Sequence, residues 1–208
     1  MSQKVQLIID SCKLHFTESV FKLEEVSYNK FAITGDNISK AINHYDESRH
    51  QVNVLHWFDE FWIYMEITFL SEKSEKFPQT FITISIYQGE ADDEYKNQLF
   101  RAEWDSFENN VKHPQPHWHI YPFKYHHKIY EDFETYNSMK EEVGFEMRLK
   151  NNFTKIIDIR KMHFAMNAQW SNKLGHIHEL PNLEVISNWI QGVLEHIKYQ
   201  LLYIKKAI

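Results

Sequence analysis

Apolar positions recur along this chain with two different periods. Val5, Ile8, Ile9, Cys12 and Phe16 follow the three-and-four spacing of one helical face, which predicts an amphipathic helix over residues 3–18. A second helix is expected from Asp36 to Tyr45, because Asp36-Asn-Ile-Ser39 offers a capping residue at its start. From Phe61 the period shortens to two. Phe61, Ile63, Met65, Ile67 and Phe69 alternate with positions that include Tyr64, Glu66 and Thr68. Ile82, Ile84 and Ile86 alternate with Thr83, Ser85 and Tyr87, and Phe100, Ala102 and Trp104 with Arg101, Glu103 and Asp105. A fourth alternating stretch contains His117-Trp-His-Ile-Tyr121. Four such segments in succession predict an antiparallel meander.

The segment after Pro122 is polar and mixed to about residue 150. Helical spacing returns over residues 154–170 with Ile156, Ile159, His163, Met166 and Trp170, and Gly175 and Pro181 punctuate the loop that follows. A long final helix is expected over about 182–206, striped by Ile186, Ile190, Val193, Ile197, Leu201 and Ile204. Lys205 and Lys206 suit its C-terminal end. The expectation is therefore a single α+β domain over residues 1–208. It has a helical N-terminal part (1–50), a four-stranded, mainly antiparallel sheet (60–122) and a helical C-terminal part (154–206).

Composition narrows the classes. A hydrophobic fraction of 43% with 15% aromatics is enough for a sizeable core, and five Gly and five Pro argue against many short strands joined by tight turns. The formal net charge of -6 disfavours broad nonspecific nucleic-acid binding. One cysteine, Cys12, excludes an internal disulfide framework and a cysteine-based zinc ribbon. With no long apolar run and no signal-peptide layout at Met1–Phe16, a cytoplasmic protein away from membranes is expected. A glycine-rich phosphate loop, a serine nucleophile elbow and a His-Glu-x-x-His helix are all missing.

The densest chemistry lies at His113-Pro-Gln-Pro-His117-Trp-His119-Ile-Tyr121. In an extended strand Gln115, His117, His119 and Tyr121 share one face. If the apolar faces form one layer, the opposite face gathers Glu66, Ser85, Tyr87, Arg101, Glu103, His117 and His119. Two imidazoles one strand step apart can chelate a divalent metal, zinc being the first choice, or act as nucleophile and base. Further metal ligands are sought in His113, Glu103, Asp105 and His163. Arg101 is expected to orient an anionic small molecule or nucleotide, while Glu103 and His163 complete the catalytic group. Asn167 and Trp170 lie one and two helical turns beyond His163. His126 and His127, and the second His-x-His pair of His176 and His178, fall in expected loops.

His117-Trp-His119-Ile-Tyr121 resembles, over a short stretch, the alternating-histidine strand of histidine-triad nucleotide hydrolases and transferases. Tyr121 stands where those families place a third His or a Gln, so their catalytic assignments are not carried over. The His-x-His pair is also similar to cupin metal sites, and His163 and Asn167 match the four-residue step of a second cupin motif. The accompanying glycines are absent.

The leading expectation is a small hydrolase or phosphoryl-transfer enzyme working from the polar sheet face, with or without a metal. The rival is a non-enzymatic subunit of a bacterial toxin–antitoxin or phage-defence assembly, or a homo-oligomer. It would use exposed aromatics such as Trp57, Phe58, Trp62 and Trp170. Single-stranded nucleic-acid binding, with bases stacked on sheet aromatics, comes third.

Overall fold

Val5, Ile8, Ile9 and Cys12 lie buried along helix α1 (Gln3–Cys12), which tightens into a 3-10 turn at Lys13–His15. The computed structural model describes residues 3–45, 48–70, 79–94, 96–105, 116–121 and 182–206. Eight strands follow α1 in these residues. They are β1 (Lys22–Ser27), β2 (Lys30–Thr34), β3 (Ile38–Tyr45), β4 (Ser48–Phe58), β5 (Phe61–Leu70), β6 (Gln79–Gln88), β7 (Asn97–Asp105) and β8 (His117–Ile120). Helix α2 (Leu183–Lys206) closes the described chain. The expected α+β class and the long C-terminal helix are present.

The four-stranded sheet over 60–122 is corrected to an eight-stranded antiparallel sheet that begins at Lys22. The helical N-terminal part over 1–50 is corrected as well, because β1, β2, β3 and the start of β4 lie within it. The helix expected from Asp36 to Tyr45 is β3, paired residue for residue with β4 from Ile38↔Leu55 to Tyr45↔Ser48. Asp36 caps no helix; its Oδ1 accepts a hydrogen bond from the Val20 backbone N–H. Eight ladder pairs outweigh a local capping preference of about 1 kcal/mol.

Strand β5 organises the sheet. One of its edges pairs with β6 over ten residues. The other is divided between β4, through Leu55↔Ile63 and His56↔Trp62, and β2, through Phe31↔Ile67 and Ala32↔Glu66. The free half of the β3–β4 hairpin therefore leaves the sheet plane and folds over one face. There Ala41 bridges to Lys96, and Asn43 is buried against Ser85, Tyr87 and Gln98.

The other face is apolar. Ladder partners Met65, Ile84, Ala102 and Trp118 run across four strands, flanked by the row Ile67, Ile82 and Trp104. Helix α2 lays Ile186, Ile190, Val193, Ile197, Leu201 and Ile204 into this core, and Trp189 meets Trp104 edge-on at 5.2 Å. Each fully buried isoleucine contributes about 2 kcal/mol by leaving water. Helix α1 packs against α2, and the Trp57 indole N–H donates to the His15 carbonyl. The result is three layers: two helices, the sheet, and the β3–β4 hairpin over part of the polar face.

No described helix is long and apolar enough to cross a membrane. The helix expected over 154–170 lies outside the described residues.

Candidate metal centre

Side chains alternate along each strand, so the antiparallel register decides which polar residues meet. Two rows cross the polar face. Tyr64, Ser85, Arg101 and His119 are successive ladder partners in β5, β6, β7 and β8; Glu66, Thr83, Glu103 and His117 form the next row. This is the polar face expected from the sequence alternation.

At its β7–β8 edge three atoms converge. Glu103 Oε2 lies 2.9 Å from His119 Nε2 and 3.3 Å from His117 Nε2, and the two Nε2 atoms are 2.7 Å apart. A hydrogen-bonded proton can satisfy one of these short contacts, but a second proton in the same triangle would face the first. A cation accepts lone pairs from all three atoms at once. The three atoms stand close enough for one ion at the usual ~2.1 Å ligand distance to be held by all of them. Among the described residues, these three side chains form a cluster able to hold a metal ion.

The carboxylate divides its oxygens. Oε2 faces the imidazoles, whereas Oε1 accepts a hydrogen bond from Thr83 Oγ1 at 3.1 Å and pairs with Arg101 Nε at 2.7 Å. Burial alone would push the Glu103 carboxyl up. The imidazoles facing Oε2, together with the Arg101 charge, outweigh burial and hold it well below the usual carboxylate range. Glu103 is thus an anion despite being only 5% exposed.

Arg101 is itself buried. Its Nη1 donates to the His44 carbonyl, and its guanidinium carbon stands 5.8 Å from the centre of the Tyr121 ring. Tyr121 OH donates to the same His44 carbonyl at 2.8 Å. Direct contact between Arg101 and a substrate would require the guanidinium to leave its carboxylate and carbonyl partners. The exposed edge of the centre belongs to His119, whose side chain is 35% accessible against 11% for His117.

Of the site residues expected from sequence, the fold brings together Arg101, Glu103, His117 and His119. His113 and His163 lie outside the described residues, as do Gln115, Asn167, Trp170 and the histidines at 126, 127, 176 and 178. Thr83 and the His44 carbonyl were not singled out. No composition or motif signal marks a backbone carbonyl, but Thr83 was legible as a member of the polar face. The aromatics proposed as exposed contacts are corrected: Trp57, Phe58 and Trp62 are 0%, 3% and 2% exposed because they form the core and its hairpin corner.

Comparison with protein-family models, curated proteins and solved structures finds no match to this chain.

Proposed function

We propose that Glu103, His117 and His119 hold one divalent metal ion and that the protein is a metal-dependent hydrolase or phosphoryl-transfer enzyme. The convergence of Glu103 Oε2 with the two histidine Nε2 atoms within 2.7–3.3 Å carries this reading. Two imidazoles and one carboxylate are a donor set that zinc uses in hydrolytic sites with an open position, so zinc remains the first choice. Such an ion polarises an oxygen of the substrate and makes a bound water a nucleophile near neutral pH.

The protein's own groups have separate tasks. Thr83 and Arg101 hold Oε1, so Glu103 presents Oε2 alone. Trp118, packed against Phe100 at 5.9 Å, anchors β8 and fixes the spacing of its two histidines. The accessible edge at His119 is the side from which substrate reaches the centre.

The test is metal content by elemental mass spectrometry on tag-free protein, alongside a His117→Ala/His119→Ala variant. Near-stoichiometric metal in the parent protein, lost in a still-folded variant, is the expected result. Metal missing from both after reconstitution would overturn the reading.

A further inference from the structure

A buried arginine beside a cation site needs a reason, because its charge opposes the ion. Arg101 is 1% exposed and paired through Nε with Glu103 Oε1 at 2.7 Å, on the far side of the carboxylate from the two imidazoles. Its position is imposed by the fold: the His44 carbonyl of β3 accepts from Nη1, and the Tyr121 ring covers the guanidinium. The arginine therefore cannot swing out to meet a ligand while β3 stays in place.

Its effect is one of charge. Glu103 contributes one negative charge to the centre and Arg101 cancels it. Imidazoles that ligate a metal do so as uncharged rings and add none. Glu66, two strands away in the same row as Glu103, is neutralised separately by Lys30 at 2.9 Å and also accepts from Tyr64 OH. Asp105, one step further along β7, lies outside the donor triangle and makes contacts of its own. Counted over its three ligands and Arg101 alone, a loaded centre would keep the double positive charge of its ion in a partly dehydrated setting, where electrostatic attraction is stronger than in water.

We propose that the metal-loaded centre selects an oxyanion, a phosphate or carboxylate group of the substrate, because Arg101 neutralises the Glu103 ligand from behind. The proposal rests on the metal reading above and names its substrate class. Arg101 acts as a positioning and charge-setting residue that never touches the substrate; the anion binds at the open face beside His119.

The experiment uses the whole protein loaded with cobalt(II), whose visible spectrum reports both metal capture and a change of ligand. Inorganic phosphate and neutral imidazole are titrated into the loaded parent protein, Arg101→Lys and Arg101→Met, each at saturating cobalt and with its fold checked by circular dichroism. Phosphate is expected to shift the parent spectrum at lower concentration than imidazole. Arg101→Met should weaken phosphate binding about tenfold through the lost charge, leaving imidazole little changed, and Arg101→Lys should retain most of the phosphate affinity. Equal phosphate affinity in parent and Arg101→Met would overturn the proposal while leaving the metal site standing. If Arg101→Met does not fold, the parent titration decides, and imidazole binding as readily as phosphate would overturn it. A parent protein that captures no cobalt would instead overturn the metal reading itself.

Discussion

Glu103 and His117 are direct ladder partners across the β7–β8 pair, and Glu103 Oε2 stands 3.3 Å from His117 Nε2. His119 reaches the same oxygen from one step along β8, opposite Arg101. The donor triangle is thus a property of register. A slip of one residue in β8 would send both imidazoles to the apolar face and bring Trp118 into their place.

This pairing gives Glu103→Gln two separable consequences. The amide keeps the shape but removes the charge, leaving the buried Arg101 without its counter-ion. Urea unfolding is expected to show a loss of about 3 kcal/mol. A double change of Arg101→Met with Glu103→Leu should recover most of that loss, since a buried pair replaced by apolar side chains is close to neutral. Both versions should lose metal binding. Glu103→Gln unfolding at the same urea concentration as the parent would show that the Arg101–Glu103 contact contributes no stability.

Much of the centre was legible because it depends on alternation. Once Ile82, Ile84 and Ile86 were assigned inward, Thr83 and Ser85 had to face the other way, and the same logic placed Arg101, Glu103, His117 and His119 together. The first four strands were not legible, for a physical reason visible in β3. Its buried residues include Ala41 and Asn43, so its inward side carries no apolar stripe to betray a two-residue period. Tight turns were also missed by counting glycines. Asn29 at φ 54° and Asp59 at φ 49° take the left-handed conformation at the β1–β2 and β4–β5 corners, a role their short polar side chains tolerate. Gly35 answers a different need. A Cβ there would run into the Val20 carbonyl and Leu55, so the chain leaving β2 passes too close for any side chain.

Asn43 supplies the polar equivalent of a core residue. It is 2% exposed, and its Oδ1 accepts from Tyr87 OH at 2.8 Å, Gln98 Nε2 at 3.1 Å and Ser85 Oγ at 3.3 Å. Asn43→Ala leaves three buried donors without that acceptor and should cost about 3 kcal/mol, read by urea unfolding. Tyr87→Phe in the Asn43→Ala background should cost less than it does in the parent, with a coupling of at least about 1 kcal/mol. Strictly additive losses would mean that the hairpin is held over the sheet by something other than this shared oxygen.

Cys12 sets a pH dependence on helix α1, which carries none of the Glu103–His117–His119 cluster. It is fully buried on α1, and burial pushes its thiol up to about 11, a contact with Ser11 opposing this only in part. The unfolded chain would ionise near 9.0. Stability from the neutral buried thiol is therefore complete below that value and is lost as pH rises through the folded one. Relative to Cys12→Ala, the parent protein should lose about 2 kcal/mol of unfolding free energy between about pH 8 and about pH 10.5. Buried Tyr64 and Tyr87 are also pushed upward, but they are common to both proteins and drop out of the difference. The same shift makes alkylation of the native thiol at about pH 8 some 100-fold slower than in urea through ionisation alone, with burial slowing it further. Iodoacetamide labelling at equal rates in the native and urea-unfolded protein would show that Cys12 is open to solvent, contradicting its burial in the core.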